Sequence, residues 1–202
     1  MSKLRIVFMG TPDFAAAVLK EVVAWEGGEV VAVYTQPDRP AGRGKKLKAS
    51  ATKELALELG YPVYQPKNFR DDVDVAALAA LEPDVLVVAA YGLLLPQRVL
   101  DIPKFGPYNV HGSLLPQYRG AAPINWAIIN GDKKSGVTTF FLNHRIDEGA
   151  IIEQAGVEIM DDETAGSLHD KLMWRGTDLV VSTVEKIAAG NFEPLPQSEE
   201  CE

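Results

Sequence analysis

The chain has 202 residues, enough for one large single-core domain or for one domain and a fragment. Its 47% apolar and 24% charged content is ordinary for a soluble protein, and no apolar run approaches the ~20 residues of a membrane-spanning helix. A formal charge of −8 argues against a generally basic surface for nucleic acid, while a single cysteine, Cys201, and three scattered histidines argue against an internal disulfide and a zinc site. No metal is expected, and the cysteine usage suits the cytosol.

The N-terminus carries basic residues before Ile6-Val7-Phe8-Met9, but that run is shorter than the ~7–15 residues of a signal-peptide core. A strand over Leu4 to Met9 is the better reading, followed by a helix from Asp13 to Trp25 and a second strand from Glu29 to Thr35. Ser50 caps a helix running to about Leu59 and ended by Gly60. Pro62 to Tyr64 is a brief strand, and Asp72 to Leu81 an alanine-rich helix stopped by Pro83. Asp84 to Ala90 is the most apolar strand, as a parallel sheet covered on both faces requires. Pro96 to Leu100 is a short helix, Gly106 to His111 a strand, and Ala122 to Ile129 a helix closed by Asn130-Gly131. This alternation predicts an α/β fold with a Rossmann-like, doubly wound, mostly parallel sheet.

The last third changes character. Gly136 to Leu142 and Ala150 to Val157 read as strands about a polar turn, an antiparallel addition to the sheet. Thr164 to Gly190 reads as one long helix, with Leu168, Leu172, Leu179, Val180, Val184 and Ile187 along one face. Residues 191–202 are polar and acidic and read as a linker, which leaves 1–190 as the domain.

Charge is not spread evenly. Residues 39–48 hold five of the twenty basic residues and no acid, so the rest of the chain carries −13 once those five are taken from −8. A confined positive loop on a negative body can meet a phosphate locally while the body repels other polyanions. A solvated lysine-rich turn is the plainer alternative.

The first strand–helix turn, Gly10-Thr11-Pro12-Asp13-Phe14-Ala15, has only the first glycine of a dinucleotide fingerprint, and Pro12 lacks an N–H. It is a poor NAD or ATP site, and reads either as a tight turn or as a substrate contact. Asn109 and His111 stand two apart on a strand and share a face near its C-terminal end, where open α/β sheets place their crevices. They form either a hydrogen-bonded structural pair or a catalytic one. Ser113 lacks the second glycine of a nucleophile elbow, so Ser113 to Pro116 is read as a turn presenting backbone groups. Asp147, in His-Arg-Ile-Asp-Glu-Gly, either is a solvated turn residue beside a flexible Gly149 or orients His111.

Asn109-Val110-His111-Gly112-Ser113-Leu114-Leu115-Pro116, with Asp147 36 residues after His111, resembles the catalytic set of the folate-dependent formyltransferases. The resemblance implies the formyltransferase fold, formyl transfer from 10-formyltetrahydrofolate to an amine, and Asn109, His111 and Asp147 as catalytic residues. It implies folate contacts at Ser113, Leu114, Leu115, Pro116, Ala90, Tyr91 and Gly92.

Three further stretches resemble the members that act on initiator methionyl-tRNA. They are Phe8 to Phe14, the run Thr35 to Leu47, and Tyr118-Arg119-Gly120-Ala121-Ala122-Pro123-Ile124. The basic loop 36–48, through Arg43, Lys45 and Lys46, then becomes the tRNA contact. That resemblance also implies a monomeric, cytoplasmic enzyme of translation initiation whose residues 191–202 lead toward a C-terminal β-barrel domain. Three rival readings are a formyltransferase of a sugar or purine amine, a non-catalytic RNA-binding module, and an NAD(P)-dependent enzyme. The basic loop counts against the first, and the missing glycines against the last.

Overall fold

The computed structural model describes residues 3–198, which gather into two compact units divided between Pro107 and Tyr108. Cys201 lies outside the described residues.

The first unit alternates strand and helix. Its strands are β1 (Leu4–Gly10), β2 (Gly28–Tyr34), the short β3 (Arg39–Ala41) and β4 (Lys46–Lys48), β5 (Val63–Tyr64) and β6 (Val85–Ala89). Its helices are α1 (Asp13–Ala24), α2 (Ala51–Glu58), α3 (Asp72–Ala80) and α4 (Gln97–Leu100). β1 pairs in parallel with β2 on one side and β6 on the other, and β2 pairs in parallel with β5. The order β5-β2-β1-β6 therefore reverses direction at β1, the topological switch of a doubly wound sheet. Ile6 to Met9 and Val85 to Ala89 are all buried, which explains why both read as unbroken apolar runs. Each Ile, Val or Leu so removed from water stabilises the fold by roughly 1.5–3 kcal/mol. Helix starts follow local chemistry too: the Ser50 hydroxyl accepts from the backbone N–H of Lys53 and caps α2.

The second unit holds β7 (Pro107–His111), β8 (Lys134–Phe141) and β9 (Ile151–Glu158), with α5 (Pro123–Ile129) and α6 (Ala165–Ala189). β8 pairs antiparallel with both β7 and β9. Thr164 and Ser167 close a reciprocal capping box at the start of α6, and Gly190 ends it in a left-handed conformation (φ 63°). The face of α6 carrying Leu168, Leu172, Val180, Val184 and Ile187 is buried. Glu153 fixes the helix to β9 by accepting from Ser182, Thr183 and Lys186, while Thr183 also bonds Thr139 on β8. The chain is thus α/β, with parallel strands in the first unit and antiparallel strands on the C-terminal side, as the sequence predicts.

Two segments are more ordered than the sequence suggests. The basic run is a two-stranded ribbon, because β3 and β4 pair antiparallel with Arg39 opposite Lys48 and Ala41 opposite Lys46. Residues 191–198, read as linker, return to the second unit, where Leu195 exchanges two 2.8 Å backbone hydrogen bonds with Ile151. Both orderings depend on backbone pairing, which leaves little trace in composition.

Candidate active site

β7 carries Asn109 and His111 to the C-terminal end of a strand paired on one side with β8, where Asn109 faces Phe140 and His111 faces Thr138. The His111 ring is buried, edge-on to Phe140 with centroids 6.4 Å apart. Its Nε2 donates to the backbone oxygen of Tyr118 at 2.9 Å. In a neutral ring this fixes the proton on Nε2 and leaves Nδ1 as an acceptor; in an imidazolium Nδ1 becomes a second donor. Nδ1 lies 3.7 Å from Asp147 Oδ2, and both side chains are mostly withdrawn from solvent, at 9% and 13% exposure. His111 and Asp147, distant in sequence, are thereby brought together. The Oδ1 atom of Asn109 is buried and has no hydrogen-bond partner among the described residues.

Asp147 is held from the same segment that holds His111. Its Oδ2 accepts from the backbone N–H of Gly120 at 2.8 Å, two residues after the Tyr118 carbonyl. Tyr118 is itself anchored at its far end, where its hydroxyl donates to Asp132 Oδ2 at 2.5 Å and accepts from Asn130 Nδ2 at 2.9 Å. The hydrogen bond to Asp132 raises the phenol pKa above its ordinary value. Tyr118, Gly120 and Asp132 act through backbone or supporting contacts; Tyr118 and Gly120 lie in the stretch that carries the family resemblance, whereas no sequence signal marks Asp132.

Gly149 is required for space. A Cβ added there would lie 1.6 Å from the Phe141 carbonyl oxygen. Close approach of the turn to β8 is what demands glycine, and that approach sets where Asp147 can stand. Asp147 itself occupies the left-handed region at φ 53°. Non-glycine residues rarely sit there, although Asp and Asn tolerate it best.

The turn Ser113 to Pro116 is pinned from β8 and β9. Thr138 Oγ1 donates to the Ser113 carbonyl at 2.7 Å and accepts from Leu115 N–H at 3.1 Å. Gln154 Nε2 donates to the Leu115 carbonyl and to Thr138 Oγ1, both at 2.9 Å. The Ser113 hydroxyl donates to the Gln117 carbonyl at 2.6 Å, so it is occupied in building the turn. Ser113 and Leu115 are buried, and Leu114 and Pro116 are the partly exposed members of the four. Thr138 and Gln154 escaped the sequence reading because Thr and Gln on alternating strands are unremarkable there.

In the first unit, Ala90, Tyr91 and Gly92 follow β6 at the switch point beside β1. Ala90 and Gly92 are exposed with φ of 46° and 78°, whereas Tyr91 is buried. The Tyr91 carbonyl accepts from Thr11 Oγ1 and from Gln36 Nε2, both at 2.9 Å. A Cβ on Gly92 would lie 2.1 Å from Gln36 Nε2, so glycine is needed for that close approach. Ala90 and Gly92 therefore offer exposed backbone here, and the Tyr91 side chain does not.

Gln36 also roots the ribbon, since its Oε1 accepts from Arg39. Asp38 is gripped by Lys53 at 2.8 Å and by Gln65 at 2.7 Å, and those hydrogen bonds, Lys53 first, lower its carboxyl pKa. Arg43, Lys45 and Lys46 are all exposed, Lys45 at φ 47° in the tight turn between the strands. Facing pairs on a ribbon share a side. The register therefore aligns Lys46 and Lys48 with Arg39, two cations that the sequence reading did not single out. Among the described residues no three His, Cys, Asp or Glu side chains gather as a metal site, and no helix is long and apolar enough to cross a membrane.

The formyl transferase family model matches residues 4–184. The methionyl-tRNA formyltransferase of Nitratidesulfovibrio vulgaris strain DP4 is 55% identical over 196 residues, covering 97% of this chain and 59% of that protein. The methionyl-tRNA formyltransferase of Acetivibrio thermocellus is 51% identical over 197 residues, covering 98% of this chain and 63% of that protein. The chain thus spans about three-fifths of the length of these curated relatives. Among solved structures, glycinamide ribonucleotide transformylase 1 from Symbiobacterium toebii superposes with a TM-score of 0.78 over 96% of this chain and 94% of its own. At 22% identity that likeness establishes the fold.

Proposed function

We propose a reaction for this chain from one premise: it belongs to the formyl transferase family. The reaction is transfer of the formyl group of 10-formyltetrahydrofolate to the α-amine of methionine on initiator tRNA, a step of translation initiation in the cytoplasm. Two things favour this acceptor over a sugar or purine amine. Relatives at about half identity carry methionyl-tRNA in their names, and an exposed ribbon concentrates five cations on a chain of net charge −8.

In the proposed reaction the uncharged amine attacks the formyl carbon and the carbonyl becomes an oxyanion. The bond from carbon to folate N10 then breaks, and N10 receives the proton that the attacking nitrogen loses. His111 and Asn109 face the reacting carbon. With Nε2 engaged by Tyr118, Nδ1 is the nitrogen left for chemistry. As an imidazolium it donates to the oxyanion with Asp147 as counter-charge; as a neutral ring it accepts the amine proton. A tetrahedral intermediate offers both an oxyanion and an N–H, and the Asn109 amide has a group for each. Its Nδ2 suits the oxyanion and its buried, unpartnered Oδ1 the N–H. Loss of one such oxyanion donor typically costs ~2.7–4 kcal/mol, roughly 10²–10³ in rate.

The folate is assigned to the exposed backbone at Ala90 and Gly92 and to the Ser113–Pro116 turn through Leu114 and Pro116. The acceptor-stem phosphates are assigned to Arg43, Lys45 and Lys46, with Lys48 and Arg39 on the Lys46 side of the ribbon. The observation that carries the chemistry is the 2.9 Å contact of His111 Nε2 with Tyr118, which leaves Nδ1 toward Asp147.

The test supplies the full-length protein with 10-formyltetrahydrofolate and, in parallel, methionyl-tRNA, glycinamide ribonucleotide or an aminosugar nucleotide. N-formylation of methionyl-tRNA in clear preference supports the reading. Preferential formylation of either small acceptor would overturn it.

A further inference from the structure

We infer that Gln197 is a positioning residue for Asp147, reaching it from the segment that returns along β9 after α6. The inference rests on the reading above, in which Asp147 is the counter-charge of His111.

The path of the chain delivers this residue. Phe192 packs on Phe141 with ring centroids 5.6 Å apart, and the backbone exchange between Leu195 and Ile151 fixes the direction of return. Gln197 then meets the turn after β8. Its Nε2 donates to the backbone oxygens of Asp147 and Gly149, both at 2.8 Å, and its Oε1 accepts from Arg119 Nε at 3.0 Å.

The arrangement closes a ring of contacts. Tyr118 holds His111 by its carbonyl, Gly120 holds Asp147 by its N–H, and Arg119 between them holds Gln197, which holds the backbone of Asp147. One amide therefore joins the segment that aims the imidazole to the segment that aims the carboxylate. The turn benefits from such a clamp because Asp147 sits at φ 53°, a conformation that persists only when its surroundings impose it. The chemistry of the contacts also selects the residue type. Two carbonyls on one side require two donors, and a guanidinium on the other requires an acceptor; a primary amide supplies both. A carboxylate would set an anionic oxygen against the carbonyls.

Gln197→Ala and Gln197→Glu in the full-length protein provide the test, with Leu195→Ala as comparison. The Leu195 side chain is 64% exposed and its bonds to Ile151 are backbone ones, so that variant trims a side chain of the same segment while leaving its backbone bonds and the Gln197 amide in place. Four quantities are read: kcat and KM for formyl transfer, thermal midpoint, and the His111 ring titration by NMR with labelled histidine. Both Gln197 variants are expected to lower kcat by about ten- to a hundredfold, as for a misplaced reacting group. KM for the folate should stay near wild type, and the His111 titration midpoint should move. Leu195→Ala should change none of these.

An unaltered kcat with an unmoved His111 titration in Gln197→Ala would overturn the inference. So would a loss of kcat that follows thermal midpoint equally in Gln197→Ala and Leu195→Ala. If the wild type formylates no acceptor, the proposed reaction fails, yet the titration still decides whether Gln197 positions Asp147.

Discussion

His111 Nε2 bonds the Tyr118 carbonyl at 2.9 Å, and Asp147 Oδ2 bonds the Gly120 N–H at 2.8 Å. Both sides of the His111–Asp147 pair are thus referred to one three-residue segment, Tyr118 to Gly120. The pair owes its 3.7 Å separation to this shared anchor as well as to the sheet. Because the anchors are backbone groups, substitution probes them best through the side chains they hold.

Replacement of His111 by alanine removes the ring that would serve as donor and proton carrier. Turnover in the formylation assay should fall by about 10²–10⁴, the usual contribution of a positioned acid–base group. Circular dichroism should be unchanged, because the ring stands at the end of β7 and its loss leaves the backbone pairing of β7 with β8 in place. Activity within a few-fold of wild type would take His111 out of the mechanism.

Asp147 separates charge from conformation. Asp147→Asn retains an oxygen for the Gly120 N–H and tolerates φ 53°, so the thermal midpoint should hold while kcat drops. Asp147→Val loses that acceptor and places a β-branched residue at positive φ, so it should also destabilise by about 1–3 kcal/mol. Equal stability of the two variants would contradict the conformational part of the argument.

Gly149→Ala sets a methyl group 1.6 Å from the Phe141 carbonyl oxygen, a separation that only backbone movement can relieve. Chemical denaturation should report a loss of roughly 1–3 kcal/mol, the range for an overpacked interior. The displaced turn should lower activity in the same variant.

Arg43→Ala should weaken use of methionyl-tRNA and reduce the slope of log K against log salt by about 1, as expected for one lost phosphate contact. KM for the folate should not change. A variant with altered folate KM and an unaltered salt slope would place the ribbon elsewhere in the function.

Asp38 gives a pH test at the root of the ribbon. Its carboxyl is held below the ordinary range by hydrogen bonds from Lys53 and then Gln65. The unfolded chain binds this proton more readily than the folded one, so stability rises with pH through the intervening window. The contribution is present above the ordinary Asp range and is lost as pH falls through the lowered folded value. Asp38→Asn should flatten that part of the acid unfolding profile, and an identical profile would remove Asp38 as a determinant.

Elements whose formation depends on local order were legible in the sequence. Ser50 and Thr164 mark helix starts because a hydroxyl caps neighbouring N–H groups, and the apolar runs at β1 and β6 mark strands covered on both faces. Asn109 and His111 share a face because strand side chains alternate. Pairing across long separations was not legible. The ribbon of Arg39 with Lys48 and the strap of Leu195 on Ile151 depend on where distant backbone segments come to rest, and the 3.7 Å meeting of His111 with Asp147 was anticipated only through the family resemblance, with Asp147 as a solvated turn residue left open beside it. Residue types disclose what a side chain can do. The tertiary structure alone decided which nitrogen of His111 is occupied, that Gly149 answers to close packing, and which amide holds the turn of Asp147, because each is set by a neighbour's backbone oxygen and backbone positions are not written in side-chain identity.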